Sequence, residues 1–192
     1  PDGSDENGNG SEDNPFKSIF HAISKSILNS HDVTVHLKEG TYSGDLNTGL
    51  TISSINNVTI LGDGIDKTVI DGNDSTYFAI INQGKNKVII SNLTIKNMKS
   101  KDEIAPIHVE ANSTLCLDNV LVTGFKSCIV TEGSLFVSDS IITKNFGLFT
   151  SYNLVCINNT LICSSVGQIR GKTIMNNSII RDILYTDYYL FA

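Results

Sequence analysis

The chain of 192 residues contains no tryptophan, only two arginines and no long apolar run. Its lysines are scattered and its net charge is −6, so it lacks the basic stripe by which proteins bind nucleic acid. A membrane-spanning helix would need roughly 18 consecutive apolar residues, which are absent. The four cysteines form no CxxC pair and have no histidine at ligand spacing, so the sequence predicts no zinc site and leaves a disulfide optional.

What the chain does contain is one short phrase written six times. Each copy has a strand-like triplet, a polar pair and a second strand-like triplet, as in VCINNTLI (155–162) and TIMNNSII (173–180). The second residue of each pair is, in chain order, Asn57, Asn92, Asn119, Asp139, Asn159 and Asn177. These residues are separated by 35, 27, 20, 20 and 18 positions.

The repeat length decides the architecture that we predict. About twenty residues are too few for a βαβ unit, which needs roughly thirty. They fit three short strands and three turns, which make one coil of a solenoid. We therefore predict an all-β solenoid, a right-handed single-stranded parallel β-helix of about seven coils, with the strand at 33–37 in the first coil.

The recurring polar pair predicts a recurring corner. Asn and Asp tolerate the left-handed backbone region that a sharp turn between two strands requires. Equivalent side chains in successive coils would lie ~4.8 Å apart, close enough for a ladder of amide hydrogen bonds. We expect all six second residues of the pairs, from Asn57 to Asn177, to belong to this structural ladder.

The chain divides into three predicted segments. Residues 1–13 are an acidic segment rich in Gly and Asn, residues 14–30 a capping helix, and residues 31–192 the coils. Asn14 suits the N-cap and Pro15 the first helical position. The apolar last residues, 188–192, lead us to expect a truncated piece of a longer protein, in which the uncovered end of the solenoid could also self-associate end to end.

Three stretches carry a resemblance to known proteins: GSEDNPFKSIFHAI (10–23), VTVHLKEGTYSG (33–44) and NVTILGDGIDKTVIDG (57–72). They resemble the N-terminal half of right-handed parallel β-helix proteins of the pectate-lyase-like superfamily. Within it, the chain is most similar to the adhesin-like surface proteins of methanogenic archaea. The resemblance implies an extracellular protein, at the cell surface or attached to the cell wall, with a role in adhesion.

A polysaccharide-active enzyme is the rival interpretation. KEGTYSG (38–44) and LGDGIDKTVIDG (61–72) also resemble the opening segments of pectin methylesterases. The catalytic motifs of that family, a Gln-Asp pair, an Asp-Phe-Ile-Phe-Gly run and an Arg-Pro-Trp run, are missing, as are those of polygalacturonases. A lyase would need calcium carboxylates beside an arginine, and Arg170 and Arg181 offer no clear placement. We therefore predict no catalytic residues, and a lyase, glycoside hydrolase, esterase or degenerate relative stays the alternative.

The acidic N-terminal segment is a candidate calcium site. Its spacing of oxygen-bearing side chains matches the first half of an EF-hand-like loop, but Phe16 stands where the bidentate Glu is expected. A mobile acidic terminus would have the same composition. No other cofactor is expected. The ligands would come from Asp2, Asp5, Asn7, Asn9 and Asp13.

Six of the sequons for N-linked glycans in the chain stand at Asn57, Asn73, Asn92, Asn112, Asn158 and Asn176. Four fall inside the repeated phrase, where a corner Asn followed by β-forming residues produces the pattern by composition. Asn73 and Asn112, in the longer intervals, are the better candidates for modification.

The longer intervals between repeats are also where we expect a ligand. Loops on one face of a solenoid often form its binding surface, and carbohydrates bind to aromatic faces surrounded by amides and carboxylates. The competing interpretation is that Tyr77 and Phe78 close the solenoid core at a turn. The predicted ligand-binding residues are Tyr42, Asp71, Asn73, Asp74, Tyr77, Asn82 and Gln83. We expect a non-catalytic module whose loops contact glycans or another cell; a spacer that binds nothing is the third interpretation.

Overall fold

The computed structural model describes residues 3–27, 32–53, 57–74, 77–82, 87–99, 105–127, 129–145, 149–166 and 169–184. They form one helix, α1 (Ile19–Ile27), and sixteen strands. The strands are β1 (Val33–Leu37), β2 (Gly40–Ser43), β3 (Leu50–Ser53), β4 (Val58–Gly62), β5 (Thr68–Asp71), β6 (Ala79–Asn82), β7 (Lys87–Lys96), β8 (Ile107–Val109), β9 (Thr114–Thr123), β10 (Ile129–Thr131), β11 (Ser134–Ser138), β12 (Ile141–Thr143), β13 (Phe149–Asn158), β14 (Leu161–Val166), β15 (Ile169–Asn176) and β16 (Ile179–Leu184).

Every strand pairs in parallel with its equivalent one coil away, so the chain winds into a right-handed parallel β-helix, as predicted. Sheet 1 stacks β1, β4, β7, β9, β11, β13 and β15. Sheet 2 stacks β2, β5, the second halves of β7 and β9, then β12, β14 and β16. Sheet 3 stacks β3, β6, β8, β10 and the first halves of β13 and β15. The seven strands of sheet 1 correspond to the seven expected coils.

The core runs along the axis as stacked rows of aliphatic side chains. In sheet 1, Val58, Val88 and Leu115 are aligned in neighbouring strands, and all are fully buried. The alternate residues of these strands point outward, as the two-residue period of a strand requires. Each coil therefore buries one set of side chains against the coils before and after it, and leaves the other set on the surface.

The helix begins later than the sequence suggested. Residues 14–18 are not helical, so Asn14 is not the N-cap and Pro15 is not the first helical residue. Ser18 is the cap, because its Oγ accepts a hydrogen bond from the His21 N–H at 3.2 Å. Ile19 and Ile23 are buried, and α1 packs against β1 in the first coil. At nine residues it is too short to cross a membrane, and the described part of the chain has no other helix.

The two long intervals are filled by the same three strands as the short ones, with longer turns between them. Between β4 and β5 the chain makes a five-residue loop, 63–67, where later coils turn with one or two residues. Beyond β5, residues 72–78 lead into β6, and residues 97–106 separate β7 from β8. The extra residues therefore enlarge the turns at the ends of sheet 2, and the described parts of these intervals contain no fourth strand.

Candidate functional site

The predicted ligand-binding surface does not include Tyr42, because Tyr42 is a core residue. Only 6% of its surface is exposed, and its hydroxyl donates to the carbonyl of Lys38 at 3.1 Å. Burial raises the pKa of Tyr42, and the nearby charge of Asp63 adds to the effect. Tyr77 is half-buried and donates its hydroxyl to the Gly49 carbonyl at 3.3 Å. The competing interpretation, in which Tyr77 and Phe78 close the core, is correct for Phe78, which is fully buried.

Asp71, another predicted ligand-binding residue, is a buried structural contact. Its Oδ1 accepts hydrogen bonds from the Asn73 N–H at 2.9 Å and from the Asn97 amide at 3.0 Å. Its Oδ2 lies 3.2 Å from the Lys96 ammonium. Burial alone would raise the pKa of Asp71, but these three partners outweigh it and lower the pKa. The carboxylate therefore fastens β5 to β7 and has little capacity left for a ligand.

Asn73 and Asp74 lie beside it on an exposed turn. Both adopt left-handed backbone angles, with φ of 51° and 56°. The Asp74 N–H donates to the Asn97 carbonyl at 2.8 Å, and its carboxylate lies 3.6 Å from the Lys126 ammonium. The structure thus groups Asp71, Asn73 and Asp74 with basic and amide partners from the next two coils. The side chain of Asn82 and the whole of Gln83 lie outside the described residues.

Asp5, in the N-terminal segment, caps the start of the helix. Asp5 Oδ1 accepts hydrogen bonds from the N–H groups of Lys17 and Ser18, each at 2.9 Å. Burial acts to raise the pKa of Asp5, but the hydrogen bonds from Ser18 and Lys17 lower it overall. Asn9 Oδ1 closes a local turn with the Ser11 N–H at 2.9 Å. A carboxylate at a helix N-terminus is favourable because it faces unpaired N–H groups.

The remaining predicted calcium ligands are not drawn together around a common point. The carbonyl, not the side chain, of Asn7 accepts a hydrogen bond from the Asn14 amide at 3.0 Å. Asp13 is exposed, and Asp2 lies outside the described residues. In the part of the chain that the structure describes, no three His, Cys, Asp or Glu side chains are arranged to hold a metal.

The predicted ladder forms along the corner between sheets 1 and 2. Asn119 donates its amide to Asn92 Oδ1 at 2.7 Å, Asn159 donates to Asp139 Oδ1 at 3.1 Å, and Asn177 donates to Asn159 Oδ1 at 2.7 Å. All five residues have left-handed φ angles between 47° and 56°. Four of the five are exposed and Asn92 is half-buried, so the ladder lies at the surface and not in the interior.

Asn57 was wrongly assigned to this ladder. The register pairs Val58 with Val88, which places Asn57 at the start of β4, one strand length before the corner. Gly62 occupies the corner region there, and a Cβ at that position would meet the Asn92 carbonyl. The amide of Asn57 instead donates to Asp32 Oδ2 at 3.0 Å. The repeated phrase gave a wrong prediction for Asn57 because its first copy lies before one strand, whereas the other copies connect two strands.

The first residues of the same polar pairs form a second row, which sequence reasoning missed. Asp118, Ser138, Asn158 and Asn176 are aligned in successive strands on the outside of sheet 1. The Ser138 hydroxyl donates to Asp118 Oδ1 at 2.6 Å, and the Asn176 amide donates to Asn158 Oδ1 at 3.0 Å. The sequence did contain a signal for this row. Each of these residues stands one position before the corner, and the two-residue period of a strand directs its side chain outward.

An apolar row runs beside this polar row on the same face. Phe136 stands two residues before Ser138, so both side chains leave the same side of β11. Phe136 is 38% exposed, and its strand neighbours in register are Cys116 and Cys156. Both cysteines carry free thiols, and burial raises the pKa of Cys116. We call the polar row and Phe136 together the outer face of sheet 1.

His36 gains a carboxylate partner that the sequence did not reveal. Its Nε2 donates to Asp63 Oδ1 at 2.7 Å, and Asp63 Oδ2 accepts the Glu39 N–H at 2.8 Å. The hydrogen bond from His36 lowers the pKa of Asp63. This pair ties β1 to the loop after β4. It lies in the first two coils, well away from Phe136 and the polar row.

Comparisons with known proteins place this geometry among β-helices. A family model described as "Protein of unknown function (DUF1565)" matches residues 2–183. A crystal structure of pectin methylesterase in complex with hexasaccharide VII is similar, with 17% identity, a TM-score of 0.58, and coverage of 93% of this chain and 79% of the other. Pectin methylesterase PemA from Erwinia chrysanthemi has 16% identity and a TM-score of 0.52, with coverage of 90% and 64%.

No curated protein sequence gives a significant match. At 16–17% identity, the two structural relationships demonstrate a shared fold and do not carry activity from one protein to the other. They support the parallel β-helix fold that was predicted from the sequence.

Proposed function

This chain belongs to the DUF1565 family, and we propose that it is a non-catalytic, extracellular β-helix module that contacts glycans. In this proposal it forms part of an adhesin-like cell-surface protein, of the kind that its sequence resembles in methanogenic archaea. Its partners are then polysaccharides or the surface of another cell.

The observation that carries the proposal is the outer face of sheet 1. A carboxylate, a hydroxyl and two amides are repeated there at one-coil spacing of ~4.8 Å, in the row from Asp118 to Asn176. A partly exposed aromatic ring, Phe136, stands beside that row. Sugars are bound by aromatic rings combined with such polar groups, and an extended polymer suits a linear row better than a closed pocket.

This location replaces the one that we predicted from sequence. Tyr42 is buried and Asp71 is already paired with three partners, so the turn at 71–74 retains only Asn73 and Asp74 as exposed polar groups. Most side chains of the outer face of sheet 1 are rigidly placed, because β9, β11 and β13 are each hydrogen-bonded to a strand on both sides; Asn176 lies in β15, which pairs with β13. Such placement lowers the entropy cost of binding.

The experiment is a binding screen on a broad glycan array, with and without calcium, followed by titration of methyl-esterified and de-esterified pectin. Asn158→Ala and Phe136→Ala each remove one side chain from the outer face of sheet 1, and we expect each to weaken a hit at least tenfold. Thr51→Ala is the matched control, since Thr51 is an exposed strand residue on sheet 3. Equal binding by all three variants would rule out this face as the site.

The same samples test the enzymatic alternative. Each bound polysaccharide is incubated with the protein and then assayed for methanol, new reducing ends and unsaturated products. Sustained release would overturn the non-catalytic proposal. A blank array would favour a spacer or a protein-binding surface instead.

A further inference from the structure

The sequons differ in whether the fold leaves their side chains available. A seventh, at Asn9, is engaged in its own turn, where Asn9 Oδ1 accepts the Ser11 N–H at 2.9 Å and Ser11 Oγ accepts the Asn14 N–H at 3.2 Å. A glycan transfers to the amide nitrogen of Asn, and the hydroxyl two residues later is part of the recognised pattern. An acceptor in a folded protein must therefore expose both groups on one surface. The structure divides the sequons on this criterion.

In the repeated phrase the side-chain amides are already hydrogen-bonded. Asn57 donates to Asp32 Oδ2 and accepts the Lys87 N–H, at 3.0 and 3.1 Å. Asn92 Oδ1 accepts the amide of Asn119. The amide nitrogen of Asn176 donates to Asn158 Oδ1, which joins two sequons to each other. A glycan on the nitrogen of Asn57 or Asn176 would break these bonds, and one on Asn92 or Asn158 would be attached to an amide whose oxygen is held by the next coil, about 4.8 Å away.

The hydroxyls of three of these sequons are also occupied. Thr94 is 4% exposed and donates to the Ile65 carbonyl. Thr160 is 2% exposed and donates to the Asn158 carbonyl at 2.7 Å. Ser178 donates to the Asn176 carbonyl at 2.8 Å. These groups hold the corner together and face away from an approaching enzyme.

Asn112 differs from these sequons both in its side-chain amide and in the hydroxyl residue that follows it. It is exposed, with φ of 66°, on the turn between β8 and β9, and its side chain makes no hydrogen bond within the described residues. Ser113 points inward and is 1% exposed, so Asn112 and the half-buried Thr114 on either side of it both face outward. The sequon at Asn73 ends at Ser75, outside the described residues.

The turn that displays Asn112 is firmly held. The Ser113 N–H donates to the Glu110 carbonyl at 3.2 Å, and the Ser134 N–H of the next coil donates to the Ser113 carbonyl at 3.0 Å. Gly133 lies directly against that carbonyl, so the next coil places no side chain over the turn. On the side of the next coil, a substituent on Asn112 can therefore extend into solvent past Gly133.

We propose that Asn112 is the N-glycan acceptor of the folded module, and this proposal rests on the extracellular location proposed above. The donor is a lipid-linked sugar phosphate or diphosphate, used by a membrane-bound glycosyltransferase. The amide nitrogen of Asn112 forms a bond to the anomeric carbon and loses one proton. The bond from that carbon to the phosphate oxygen breaks, and the lipid phosphate leaves with the electron pair.

The test uses the full chain behind a signal peptide, secreted from a eukaryotic host in a background that carries Asn9→Gln and Asn73→Gln, and examined by glycopeptide mass spectrometry. We expect one occupied site, Asn112. Asn112→Gln and Thr114→Val should lose the glycan, and Thr114→Ser should retain part of it because the sequon survives. That rescue separates recognition of the hydroxyl from a structural effect at Thr114.

An unmodified Asn112 in secreted, folded protein would overturn the proposal, as would a glycan on Asn92, Asn158 or Asn176 in protein with an unchanged melting temperature. Material from the natural host separates the two proposals. If Asn112 is modified in the secretory host but not in the natural one, the acceptor assignment stands and the extracellular location is refuted.

Discussion

Asn159 allows the backbone and side-chain contributions of the corner ladder to be measured separately. It has φ of 48°, donates to Asp139 at 3.1 Å and accepts from Asn177 at 2.7 Å. An L-residue with an ordinary Cβ costs roughly 1–2 kcal/mol in this left-handed region, and glycine avoids that cost. Each hydrogen bond contributes about 0.5–1.5 kcal/mol, at the low end here because the ladder is exposed.

We therefore expect Asn159→Ala to lower the free energy of unfolding by about 2–3 kcal/mol and Asn159→Gly by about 1 kcal/mol less than that. Both variants lose the two ladder bonds, so the difference reports the backbone. Asn159→Asp keeps a residue that tolerates the left-handed region but places a carboxylate beside Asp139. It should destabilise at pH 7 and recover as the pH falls towards 4, because repulsion raises the pKa of one carboxyl above its unfolded value.

Urea unfolding followed by circular dichroism gives the comparison, with equal m-values required for all variants. For a chain of this size, 1 kcal/mol corresponds to about 2–4 °C in Tm. Equal stability of the Ala and Gly variants would refute the backbone argument. An Asp variant as stable as the wild type at pH 7 would show that the ladder bond to Asp139 contributes nothing.

Three further predictions follow from contacts within the described coils. Asp71→Ala should lower the free energy of unfolding by about 1–3 kcal/mol, because it leaves Lys96 and Asn97 without their partner. In the wild type this stabilisation is present above pH ~3.8 and is lost as the pH falls through the lowered pKa of Asp71. An acid titration of Tm checks this pH dependence. Asp5→Ala should lower the free energy of unfolding in urea by about 1 kcal/mol, because the N–H groups of Lys17 and Ser18 lose their acceptor at the start of the helix. An unchanged midpoint would contradict this role. If the segment binds calcium, the ion at millimolar concentration should raise the Tm of the wild type but not of this variant. Gly62→Ala should cost about 1–3 kcal/mol, since its Cβ would meet the Asn92 carbonyl, and a neutral effect in thermal melts would show that the corner can relax.

Much of the fold could be predicted because the sequence repeats one physical solution. A short strand, a left-handed corner and a second strand require the same residue types in every coil, so the period and the number of coils were readable. The corner positions from Asn92 to Asn177 followed from the tolerance of Asn and Asp for positive φ. The first copy failed because Asn57 has the same letters around it but precedes a strand, and only pairing with β7 shows this.

The candidate site was harder to predict, because it depends on which side of each strand faces out. Tyr42 alternates with exposed Thr41 and Ser43, which places it inward, although we predicted it among the ligand-binding residues. The start of α1 was misplaced for a related reason. Asp5 caps the helix from twelve residues away and Asn47 Oδ1 accepts the Ile19 N–H from the first coil, and neither contact is encoded near Asn14.

By itself, the sequence determined the solenoid, its repeat and its corners, because these depend on local backbone preference and on a period that recurs in every coil. Only the tertiary structure decided which polar groups meet. Asp71 and Lys96 are 25 residues apart, and the lengths of the intervening turns bring them to 3.2 Å. The same stacking engages the side-chain amides of the repeated phrase, while Asn112 makes no side-chain hydrogen bond within the described residues, since a hydrogen bond between coils depends on register and not on either residue alone.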